Sequence, residues 1–307
     1  MSTEILAFPS GPAPERPHRP AGSPVLIGCS HGTSDLTGRE VIRALLDDVR
    51  AARPDLDVRE AFVDVQLPEV ADVVTSVVAP ERTSSGGAAV PGEPVPGDAA
   101  VPGEPVPRDA APAPRDAVVV PLLLSGGFHV GVDVAESVVD RGPGAGRAAA
   151  APALGPDPRL VDLLADRLAE AGVRSDDAVV VAAAGSSRPG AARDVEELAA
   201  GLRERRPGSV SVGYGAMARP SVPDAVAAAR ADLAPGGRVV VAAYLLAPGF
   251  FYDRVLEAGA DVVTAPLAPD ARLTAIVLDR YADTAAALPT PQGENPGRAK
   301  QDPGRVE

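Results

Sequence analysis

The 307 residues hold three histidines, and two of them stand where an apolar run gives way to small polar residues. His31 lies in "PVLIGCSHGTSD", at the end of a Val/Leu/Ile run. His129 lies in "PLLLSGGFHVGVDV", followed four residues later by Asp133. A third run ends in "FVDVQLPEV", which carries Asp64. Two imidazoles and two carboxylates make a donor set for a divalent first-row metal. Imidazole also titrates near neutrality and so suits proton abstraction. Taken singly, Asp133 reads as a first-turn helix acid favoured by the dipole, and Asp64 as a strand-end loop acid. The recurrence of histidine at two strand ends is what points to chemistry. The first loop also spells G-x-S-x-G across Gly28, Ser30 and Gly32, the outline of a hydrolase nucleophile elbow. That elbow needs an oxyanion loop earlier in the chain, and only a Pro-rich arm precedes it, so the hydrolase reading is weak. No stretch matches G-x-G-x-x-G or the P-loop.

The histidines need elements to hold them. Short Val/Ala/Leu runs predict strands over Val25–Cys29, Val58–Val63, Ala117–Leu124 and Ala148–Ala153. Between the first two, Val41, Leu45, Leu46 and Val49 have helical spacing, which predicts a helix over Leu36–Ala52. Strands alternating with helices imply a parallel sheet with helices on both faces, and strands without polar alternation imply a sheet buried on both sides. Ligands in such folds sit beyond the C-terminal strand ends, where strand order reverses. His31, His129 and Asp64 are all predicted at that edge. Gly126 and Gly127 are turn glycines that also let a flat ligand approach the backbone.

The pattern occurs twice. "IGCSHGTS" from Ile27 aligns with "VAAAGSSRPG" from Val181, placing His31 on Ala184 and Gly32 on Gly185. "FVDVQLPEV" aligns with "YGAMARPSV", placing Asp64 on Ala216 and Pro68 on Pro220. "PLLLSGGFH" aligns with "AYLLAPGFF", placing His129 on Phe251, and "GPDPRLVDLLADRL" aligns with "APDARLTAIVLDRY". The expected organisation is an arm over 1–21, a first domain over 22–173, a second over 174–285 and a tail over 286–307. The stretch 83–116, with "PGEPVPGDAAVPGEPVPRDAA", is Pro/Gly/acid-rich, has no counterpart in the second copy and reads as a disordered insert.

Composition narrows the function classes. Net charge is −13 and the single lysine is Lys300, which argues against nucleic-acid or anionic-membrane binding. The one cysteine, Cys29, allows neither an intrachain disulfide nor a cysteine zinc cage, and reads as a small core residue. Neither a signal peptide nor an apolar run of about 18 residues occurs, so a soluble cytoplasmic protein is expected.

"GCSHGTSD", "FVDVQLPEV" and "PLLLSGGFHVGVDV" together resemble the sirohydrochlorin chelatase family, over Pro24 to Thr284, in its long two-repeat form. The resemblance implies two tandem chelatase-like, flavodoxin-like α/β domains. It implies a lyase inserting Fe2+ or Co2+ into sirohydrochlorin, on the sirohaem or cobalamin route. His31 and His129 would then be metal ligands and proton acceptors. Asp64 stands where the family usually has Glu, as a third ligand. The backbone of Ser125, Gly126 and Gly127 would meet substrate carboxylates, with Arg188, Arg219 and Arg254 as further donors. No cofactor beyond the substrate metal is implied, and a fused duplicate is expected to be a monomer. The second half, with Ala184, Ala216 and Phe251, has lost the donors and would form the other wall of the cleft. A non-catalytic protein that binds or delivers metal or tetrapyrrole would use the same ligands.

Overall fold

The computed structural model describes residues 22–79, 113–127 and 130–288. Each half builds a four-stranded parallel sheet. In the first, β1 (Val25–Ser30), β2 (Val58–Phe62), β3 (Ala117–Pro121) and β4 (Ala148–Ala150) lie in the order β2-β1-β3-β4. In the second, β5 (Ala178–Ala183), β6 (Val210–Tyr214), β7 (Val239–Tyr244) and β8 (Val262–Val263) lie in the order β6-β5-β7-β8. The central strands β1, β3, β5 and β7 are buried along their whole length. The chain steps outward from β1 to β2 and then back across to β3. Strand order therefore reverses between the ends of β1 and β3, which is where a parallel sheet opens a crevice.

The predicted helix over 36–52 forms with those bounds as α1 (Leu36–Ala52). Asp35 caps it, its Oδ1 accepting the Gly38 amide at 2.6 Å. Ile42, Leu45, Leu46 and Val49 give the buried stripe. The remaining helices are α2 (Val70–Val78), α3 (Ala135–Ser137), α4 (Pro158–Glu170), α5 (Pro189–Arg205), α6 (Val222–Ala231), α7 (Phe250–Leu256) and α8 (Ala271–Ala287). A π-helical turn, Val130–Val134, leads into α3, whereas the equivalent α7 is regular.

The halves are joined by exchange. Helix α4, from the first half, packs on α5 and β7; α8, from the second, packs on α1, β3 and β4. One apolar core consequently runs through both halves, from Leu26, Leu45 and Leu46 through Leu163 and Leu164 to Leu198, Leu202 and Ile276. The outer faces keep separate clusters, Ile27 with Val74 and Val119 in one half and Val180 with Val226 and Val241 in the other.

The contacts between halves occur in pairs, as in an isologous dimer. Arg159 reaches Asp279 at 2.7 Å, and its counterpart Arg272 reaches Asp166 at 2.7 Å. Arg167 donates to the carbonyls of Pro266, Leu267 and Pro269; Arg280 donates to those of Ala153, Leu154 and Pro156. Half-exposed ion pairs add at most about 1 kcal/mol each, so the shared core is what binds the halves and the pairs set their register.

Most of the expected insert lies outside the described residues. Its expected end at 116 is too late. The Arg115 amide bonds the Val77 carbonyl at 3.0 Å and its guanidinium meets Asp57 at 2.8 Å. The Asp116 carbonyl accepts the Val25 amide at 2.8 Å, and its carboxylate accepts the Arg147 amide at 2.8 Å. Both residues belong to the entry of β3, where strand hydrogen bonding outweighs the Pro-rich composition upstream. Replacing 83–112 with a short linker is expected to leave the melting temperature unchanged. Extending the cut through Asp116 should lower it, and equal melting curves for the two deletions would contradict this boundary.

Candidate functional site

A cleft lies between the two halves at the C-terminal edges of their sheets. It has two lobes, of about 600 and 450 Å3, and both are bordered by His31, Leu122, Leu123, Leu245, Leu246 and Phe251. The walls are strand ends. β3 continues into Leu122–Leu124 and β7 into Leu245 and Leu246, so apolar strand sequence supplies the lining without further design.

His31, half-buried, is the first residue past β1, on the side of the order reversal. Its backbone is tied down on all sides. Its carbonyl accepts the Asp64 amide at 3.0 Å. Gly32 follows at φ +92°, its α-carbon facing the Asp64 carbonyl. The Thr33 amide donates to Gln66 Oε1 at 2.9 Å, and Arg39 Nε donates to the Thr33 carbonyl at 2.7 Å. The second half repeats this frame without the imidazole: the Ala216 amide meets the Ala184 carbonyl at 2.9 Å, with Gly185 at φ +89°.

The expected site residues are distributed as follows. His31 is central. His129 lies outside the described residues. Asp64 is exposed and does not border either lobe; its Oδ1 accepts the Val65 amide at 2.7 Å. Ser125 and Gly127 border the larger lobe. The Gly126 amide is already bonded to Asp194 Oδ2 at 2.9 Å, and the Gly127 amide to the Ser125 carbonyl at 2.8 Å. What this loop presents to the cleft is therefore the Ser125 side chain and the bare face of Gly127. Ala184, Ala216 and Phe251 all border the larger lobe, opposite the first half. Arg219 is exposed, with Asp224 at 3.6 Å. Arg254 stacks over the Phe250 ring at 5.2 Å, and Phe250 borders the smaller lobe. Arg188 occupies the N-cap position before α5.

Cys29 is fully buried, and burial, with the nearby Asp133 charge as a smaller cause, pushes its thiol up to about 12. It stays protonated and inert, as a core residue. Ser30 is the last residue of β1, paired to Phe62 in regular strand register rather than at a strained elbow. Among the described residues no three His, Cys, Asp or Glu side chains gather into a metal cluster, and no helix is long and apolar enough to cross a membrane.

Two charged residues that sequence reasoning passed over border the smaller lobe. Glu60 sits on β2 beside Gly28, with Arg43 Nε at 3.7 Å from its carboxylate, and Arg39 lies on the first turn of α1. The available signal for Glu60 was the adjacent pair of charges, Arg59 and Glu60, inside a strand whose other residues are apolar. For Arg39 it was a cation one helical turn before the buried Ile42.

A family model described as CbiX matches residues 106–171 and 178–284, more than half of the chain. The matched stretches do not include His31. No curated protein matches. Among solved structures, SirB from Bacillus subtilis with Fe3+ superposes with a TM-score of 0.64 at 19% identity, covering 86% of this chain and 96% of that one. The sirohydrochlorin chelatase SirB from Bacillus subtilis subspecies spizizenii, in complex with cobalt, gives 0.61 at 18% identity, with 89% and 98% covered. CbiX, described as the terminal enzyme for siroheme biosynthesis in denitrifying bacteria, gives 0.53 at 16% identity, with 84% and 98% covered. At these identities the likeness is one of fold.

Proposed function

Because this chain belongs to the CbiX family, we propose that it is a chelatase that inserts divalent iron or cobalt into sirohydrochlorin. The observation that carries the reading is the placement of His31 where both lobes of an apolar, strand-walled cleft meet. A flat macrocycle fits apolar walls, and its central nitrogens need a donor and a base beside them.

The exchange is one divalent ion in and two pyrrole protons out, with no change of oxidation state. Neutral imidazole can hold the ion or accept a proton. We assign that work to His31 and, from its sequence position, to His129. Asp64 is the proposed carboxylate at the rim, and Glu60 is the one bordering the cavity. Arg39 borders the cleft and Arg254 stacks on its Phe250 wall, so these two are the proposed partners of substrate carboxylates. The wall of Ala184, Ala216 and Phe251 offers surface without metal donors, so one metal site per chain is expected.

The test is turnover. A trace of protein is mixed with excess sirohydrochlorin and Fe(II) or Co(II), and product absorbance is followed. Many equivalents formed above the spontaneous rate support the chelatase. Tight binding with no turnover would instead make the chain a carrier. A Co(II) titration should saturate at one equivalent, and binding that survives loss of both His31 and His129 would overturn the site.

A further inference from the structure

The β2–α2 and β6–α6 loops carry the same oddity. Val65 and Met217 are the only non-glycine residues with positive φ among the described residues, at 61° and 59°. They occupy equivalent places in the two halves, three residues before Pro68 and Pro220. Each is the centre of a reverse turn closed by an amide two residues on from its acceptor: Gln66 to Asp64 and Ala218 to Ala216, both at 2.6 Å. Such turns with a left-handed centre are rare and strained. A β-branched residue is the least suited of all to that backbone, and glycine or asparagine would take it at little or no steric expense.

Nor does packing explain the side chains. Val65 is 56% exposed and Met217 82% exposed. Both halves thus hold an apolar group in water on a backbone that disfavours it. The duplication has repeated the arrangement even though the second half lacks His31, Asp64 and His129 equivalents. The feature accordingly tracks the shape of the cleft rather than the metal donors. Val65 borders the smaller lobe and Met217 the larger, on either side of the shared His31.

We propose that Val65 and Met217 are paired substrate-contact residues, two apolar jaws that close on the macrocycle from opposite lobes. The inference rests on the chelatase reading and adds the residues that grip its substrate. Holding the tips in a tight turn aims each side chain into the cleft without a packed core beneath it. Burial of the exposed side chains against the ligand would supply the binding gain.

The experiment measures binding of metal-free sirohydrochlorin to the full chain through the ligand's own fluorescence, with insertion kinetics alongside. Val65→Gly and Met217→Gly relieve the backbone and remove the side chain. Each is expected to keep or raise the melting temperature while weakening binding about tenfold, the loss of one side chain's apolar burial. The double variant should lose about a hundredfold if the sites act independently. KM should rise with kcat little changed, because the contact is made in ground and transition states alike. Val65→Ala and Met217→Ala keep the backbone restriction and lose only bulk, so they should weaken binding as well. Leu67→Ala, on the same loop and 78% exposed but bordering neither lobe, should bind as wild type. If wild type binds sirohydrochlorin and the glycine and alanine variants bind equally well, the inference falls alone. If only the glycine variants weaken, or Leu67→Ala weakens as much, loop rigidity rather than apolar contact is responsible and the inference also falls. If wild type binds no sirohydrochlorin, the chelatase reading falls and takes this one with it.

Discussion

His31→Ala is expected to cut metal insertion into sirohydrochlorin by about 10²–10⁴-fold, the range that one positioned acid–base group supplies. The fold should survive. The backbone contact of this residue is its carbonyl to the Asp64 amide, which alanine retains. The measurement is initial rate at trace enzyme, with the spontaneous rate subtracted, beside a melting curve of the same preparation. An unchanged rate with an unchanged melting curve would remove His31 from the chemistry and leave the cleft as a binding pocket alone. The matching change at His129 is expected to act in the same way, on the grounds of its sequence position.

The second large effect is on stability. Gly32→Ala places a β-carbon against the Asp64 carbonyl oxygen, a backbone atom that cannot swing aside, at φ +92°. The expected loss is about 2–4 kcal/mol, or roughly 3–6 °C in melting temperature for a chain of this size. Two glycines serve as controls. Gly142 has φ +85° but nothing within 4 Å, so Gly142→Ala reports the backbone conformation alone and should lose less. Gly185 faces the Ala216 carbonyl as Gly32 faces that of Asp64, so Gly185→Ala should lose as much stability as Gly32→Ala. It should do less damage per folded molecule to metal insertion, because no imidazole precedes it. If Gly32→Ala melts with Gly142→Ala, close approach is not what these positions are for.

Much of this was legible in the residues. Strand runs bounded by small polar residues placed β1, β2 and β3 within a few residues, and the spacing of Leu45, Leu46 and Val49 placed α1 to its ends. The duplication was legible because glycines and prolines at turns are single positions that do not drift. The β4 strand was expected over Ala148–Ala153 and ends at Ala150, since an edge strand has a partner on one side only. The exchange of α4 and α8 was not legible. Helical periodicity shows that a face is apolar but not which sheet covers it. In the cleft, His31 stood out as a rare polar residue at a strand end. Glu60 and Arg39 did not, because common charged residues declare a site only when the fold brings them to one.

The exchanged helices also order events in time. Tyr281, on α8, donates its hydroxyl hydrogen to the carbonyl of Pro24 at the start of β1, across 257 residues of sequence. The inner face of the first sheet is thus begun at β1 and closed only once α8, 257 residues further along the chain, has been made. Until then α1 covers that face only in part, β3 and β4 lack the helix that packs on them, and contacts so distant in sequence form slowly. A nascent chain stalled before α8 presents that face to whatever is near, which makes it a candidate for chaperone capture and for pairing with a second stalled copy.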